Sequence, residues 1–99
     1  MKIPKKIKIG GHIVTVKVVD KVAEDPEVQQ WAGGWTESQN LIEIRAGQAQ
    51  SQKEVTLIHE ILHCINLQLN HDHVEFLSQA LYQVIKDNKL YFDGKEDVK

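Results

Sequence analysis

The sequence predicts a small α+β domain: an antiparallel sheet of about four strands, in two hairpins, packed on two helices. Three observations predict it. Apolar and β-branched residues alternate with polar ones in the first half, which is the period of a half-buried strand. Apolar residues recur every three or four positions in the second half, which is the period of an amphipathic helix. The chain has 99 residues, 41% hydrophobic and 26% charged, which suits one globular core and one domain. The expected division is residues 1–49 as the β-rich half, 50–89 as the two-helix half and 90–99 as an acidic tail.

The first hairpin is read from Ile7 and Ile9 alternating with lysines, a Gly10-Gly11 turn able to take positive φ, and the β-branched run Ile13, Val14, Val16, Val18, Val19. DKVAEDPEVQQ is a polar connection interrupted by Pro26. Trp31 to Trp35, then TESQ, then Asn40 to Arg45 make a second hairpin, in which Ile42 and Ile44 point one way and Leu41, Glu43 and Arg45 the other. Gly33-Gly34 and the two tryptophans read as turn geometry and core bulk. Ser51 and Glu54 have the spacing of a capping box and open a helix expected from Ser51 to Leu69, with Val55, Ile58, Leu62, Ile65 and Leu69 on its apolar stripe. Asn70-His71-Asp72-His73 breaks that helix. A second stripe follows at Val74, Leu77, Leu81, Val84 and Ile85, and Asn88 is a stop signal.

Composition excludes several function classes. The net charge is −2, and Lys2, Lys5, Lys6 and Lys8 read as the solvated face of a strand, so no nucleic-acid partner is expected. No apolar run is long enough for a signal peptide or a membrane span, which predicts a cytoplasmic protein. A lone cysteine, Cys64, rules out an internal disulfide framework and is expected to be a small buried hydrophobe.

One stretch does not fit plain packing. VTLIHEILHCI sets His59, Glu60 and His63 within an apolar run, although burying polar groups costs free energy unless something satisfies them. On a helix, residues four apart stack on one face, so His59 and His63 can aim at one tetrahedral Zn2+ ion. Glu60 lies about 100° further round. Its carboxylate then stands beside the ion without ligating it, placed to take a proton from an activated water and deliver it to a leaving amine. This is the mechanical content of H-E-x-x-H, present as His59-Glu60-Ile61-Leu62-His63. A catalytic zinc site takes three protein ligands. Glu75, beside the Val74 and Leu77 stripe, is the favoured third. His71 and His73 at the helix break are alternatives, and Glu75 could instead close a capping box on Asp72. Asn66 and Leu69 stand where a metzincin would have glycine and its third histidine.

With HEILH on a capped helix, KIKIGGHIVTVKVV and WAGGWTESQNLIEI before it and VEFLSQAL after it, most of the chain resembles the minimal gluzincin metallopeptidases, or minigluzincins. The resemblance implies a zinc endopeptidase acting on peptide or protein substrates, with His59, His63 and Glu75 as ligands and Glu60 as general base and acid. It also implies that Asn40 to Arg45 is a sheet edge on which an extended substrate adds a strand. Residues 64–74 are a shorter spacer than in larger gluzincins, whose oxyanion-stabilising histidine or tyrosine has no motif-placed equivalent here; Tyr82, Tyr91 and His73 are the candidates. Some members of the family resemble zymogens, and Asp93, Glu96 and Asp97 in the tail could compete with water for zinc. The competing class is a non-catalytic binding module, of phage origin, in which a structural zinc with four protein ligands staples the helices.

Overall fold

The computed structural model describes residues 2–22, 31–66 and 68–90. Within these, alternation and helical periodicity fold as expected into an α+β domain: β1 (Lys6–Ile9), β2 (His12–Val19), β3 (Gly33–Thr36), β4 (Leu41–Arg45), α1 (Gln50–Ile65) and α2 (His71–Asp87). The polar connection around Pro26 and the tail beyond Leu90, including Tyr91, Asp93, Glu96 and Asp97, lie outside the described residues.

Both hairpins form. Ile9 pairs with His12 across Gly10-Gly11, with Gly10 at φ +60°, so the glycine does what a side chain would resist. β3 and β4 pair antiparallel through a 3₁₀ turn at Glu37–Gln39 that Asn40 closes in the left-handed region. The sheet is mixed, however, because β2 and β4 run parallel, giving the order β1-β2-β4-β3. That seam corrects one expectation. Asn40 to Arg45 is flanked by strands on both sides and is no edge; the edge strands are β1 and β3.

The period-two reading places the core. Val14, Val16, Ile42 and Ile44 share one sheet face and are buried against Leu57 of α1, with Ile7, Ile9, Ile61 and Cys64 packed round them. Removing one such side chain from water stabilises by about 1.5–3 kcal/mol. Cys64, expected to be buried, is partly buried and packs against this core. Lys2, Lys5, Lys6 and Lys8 are exposed, also as expected.

The helix ends are shifted for identifiable reasons. α1 starts after Ala49 without a side-chain cap, because Glu54 turns inward instead of back to Ser51. It is 2% exposed and is bonded by the Tyr82 hydroxyl and by Gln50 Nε2 at 3.2 Å. α1 stops at Ile65, four residues early. Asn66 is extended, and its side chain accepts the Gln68 N–H at 3.0 Å. Asn70 caps α2 by accepting the Asp72 N–H at 2.8 Å. Asp72 is therefore not the cap, and Glu75 sits two residues too far along to close a capping box. Asn88 ends α2 as expected. The second apolar stripe is only partly used: Val74 is buried, whereas Leu77, Leu81 and Val84 stay exposed. No helix among the described residues is long and apolar enough to cross a membrane.

Candidate metal centre

The site is built where α1 passes under β3 and meets the start of α2. His59 and His63, one turn apart on α1, bring their Nε2 atoms to 3.1 Å. Two nitrogens held about 2.0–2.1 Å from a tetrahedral ion are roughly 3.3 Å apart, so the observed pair fits a shared divalent ion. His71, the first residue of α2, closes the group. Its ring centroid is 4.9 Å from that of His59 and 5.7 Å from that of His63, and the three residues offer nitrogens all within 4.8 Å of one another. Three histidines thus lie close enough to bind a metal ion.

Burial lowers the His59 pKa, and the neighbouring His63 and His71 lower it further against the opposing Glu75. Burial, then His71, lowers that of His63. Both effects favour the neutral imidazole, the form that can ligate. Glu60 is buried, and burial followed by the Glu75 charge pushes its carboxyl up to about 7. A group poised there can both take and release a proton near neutral pH.

Glu75 also reaches the site, but at another atom. Its Oε2 lies 3.1 Å from His59 Nδ1, the ring nitrogen not facing His63. The structure thus brings together His59, Glu60, His63 and Glu75, and adds His71 to the nitrogens in the place the resemblance gave to Glu75. His73 is exposed and does not line the cleft, and Tyr82 is bonded to Glu54.

These groups open into a cleft of about 770 Å³ walled by Trp31, Gly33, Gly34, Trp35 and Val55. Gly33 and Gly34 belong to strand β3, not to a turn as the sequence suggested, and the reason is contact with α1. A Cβ on Gly33 would stand 2.5 Å from the Thr56 methyl, 2.8 Å from the Glu43 carbonyl oxygen and 3.4 Å from Glu60 Cγ. Gln48, unnoticed in the sequence, ties this wall together. Its amide donates to the carbonyls of Ala32 and Arg45, both at 2.8 Å, and its oxygen accepts from the Thr56 hydroxyl at 3.4 Å. A glutamine in a loop carries no motif, and only the folded positions of residues 32, 45 and 56 reveal its role.

No protein-family model, curated protein or solved structure matches this chain.

Proposed function

We propose that this protein is a zinc-dependent endopeptidase whose ion is held by His59 and His63 of α1 with a third ligand from the start of α2. One observation carries the reading: three converging imidazoles and a buried glutamate of raised pKa line the same open cleft. A closed structural zinc would need a fourth protein ligand on the cleft side. Among the described residues the metal-binding group has three members, and the cleft opens beside them.

A bound divalent ion supplies Lewis acidity, polarising a carbonyl and making water acidic near neutral pH. Glu60 takes the proton of the attacking water on a carboxylate oxygen and returns it to the nitrogen of the departing amine. Its burial keeps that proton from exchanging freely with solvent. Among the described residues β3 is an edge strand on the cleft, with no strand on its outer side, the arrangement that receives an extended peptide as an added strand. Trp31 and Trp35 give the flanking substrate side chains apolar surfaces to rest on.

The test is casein cleavage by the zinc-loaded chain. Chelation abolishes cleavage and Zn2+ restores it, while Glu60→Ala keeps one zinc per chain and loses turnover. Unchanged cleavage by that variant would overturn the reading. Zinc retained with no cleavage by wild type on any peptide or protein would point to the structural module instead.

A further inference from the structure

We infer that Glu75 is a positioning residue for His59 and no metal ligand, which leaves the third nitrogen to His71. The inference rests on the metal half of the proposed function and is independent of hydrolysis.

The two nitrogens of an imidazole face opposite sides of the ring, so the partner of one fixes the use of the other. His59 has both sides committed: Nε2 faces His63 Nε2 at 3.1 Å, and Nδ1 faces Glu75 Oε2 at 3.1 Å. A carboxylate can only accept, so the His59 proton belongs on Nδ1 and the lone pair on Nε2 points at His63. An ion shared with His63 therefore lies on the side of the ring away from Glu75. His71, not Glu75, joins both rings in offering a nitrogen within 4.8 Å of the others, and its ring is stacked on that of His63, 16° from parallel.

Helical spacing assigns three tasks to one face of α2. His71, Glu75 and Gln79 are each four residues apart, so they stand one turn above another. The first meets the two α1 histidines, and the second meets Nδ1 of His59. The third donates its amide to Glu75 Oε1 at 3.0 Å, which holds the carboxylate with its other oxygen toward the ring. The His59 side chain is 10% exposed and that of Glu75 51%, so the carboxylate orients a buried ring from the solvent side. Partners of this kind fix the tautomer and raise the ligand's basicity, and losing one weakens metal affinity about 10–100-fold.

The experiment uses Zn2+ alone and no substrate. Affinity is measured by competition with a chromogenic chelator, and bound imidazoles are counted by X-ray absorption. Circular dichroism confirms that each variant is folded, as expected for residues that are themselves exposed. Wild type shows three imidazoles, and His71→Ala shows two. Glu75→Ala keeps three but binds about 10–100-fold more weakly, while Glu75→Gln falls between, because an amide oxygen still accepts from Nδ1. Two imidazoles in wild type, an unchanged count in His71→Ala, or Glu75→Gln as weak as Glu75→Ala would each overturn the inference. Loss of the peptidase reading alone, through a Glu60 variant that still cleaves, leaves these measurements and their outcome untouched.

Discussion

Glu60→Gln offers a test of the buried carboxylate that needs no substrate. In chelator-treated protein, burial and the Glu75 charge hold the Glu60 carboxyl at about 7, against 4.5 for the ordinary group. A folded-state pKa above the unfolded value means that the protonated form is favoured on folding. The stability this brings is full below pH 4.5 and is lost as pH rises through 7. Above pH 7 the native state therefore carries an ionised group that the unfolded chain accommodates better. At about 1.36 kcal/mol per unit, the difference amounts to roughly 3 kcal/mol at pH 8 and vanishes by about pH 4. Glutamine removes the charge at nearly the same volume, so Glu60→Gln should be more stable than wild type by about that amount at pH 8 and equal to it at pH 4. In thermal melts this is about 12–24 °C for a domain of this size. Parallel urea and thermal unfolding at the two pH values, followed by circular dichroism with chelator present, gives the answer. An equal gain at both pH values, or none at either, would refute the claim that ionised Glu60 is destabilised by its surroundings.

Gly33→Ala should cost about 1–3 kcal/mol by forcing β3 off α1, and Thr56→Ser, which removes the methyl 2.5 Å from the added carbon, should recover part of it in a double-mutant cycle read by urea unfolding. Tyr82→Phe takes a hydrogen bond from buried Glu54, whose carboxyl burial would raise but whose hydrogen bonds from Tyr82 and Gln50 help hold well below the ordinary value. The loss should be about 1–3 kcal/mol of stability with zinc stoichiometry unchanged. Ile44→Ala should cost about 2–5 kcal/mol in the same assay, because its side chain is fully buried in the sheet core. Saturating Zn2+ at about a hundred times its dissociation constant should stabilise wild type by roughly 2.7 kcal/mol and leave His59→Ala unmoved.

Much of this was legible in the residues. Ile42 and Ile44 are buried together because period-two patterning and strand geometry are the same fact, and His59 and His63 meet because a helix repeats every 3.6 residues. The rest depended on relations between distant segments. Nothing in LIEIR says which strand lies beside it, so the parallel seam with β2, and hence the true edge, waited on the folded chain. Ser51 and Glu54 have the spacing of a cap, but the Tyr82 hydroxyl, 28 residues away, competes for that carboxylate and keeps it. Glu75 was found as a participant, since it stands beside the Val74 and Leu77 stripe expected to face α1. Its atom of contact, His59 Nδ1, depends on how the two helices dock, and sequence spacing carries no record of that. Asn70, not Asp72, caps α2, which makes His71 the first helical residue and carries its ring to the α1 pair.

The parallel seam has a consequence for how the chain divides its work. Among the described residues, those that wall the cleft lie between Trp31 and Glu75, whereas β1 and the length of β2 touch none of it. The opening hairpin is a backing plate, fastened along one row of bonds from Thr15 to Val19. Alterations to its outward residues should change how long the molecule survives heating while leaving each surviving copy as competent as before.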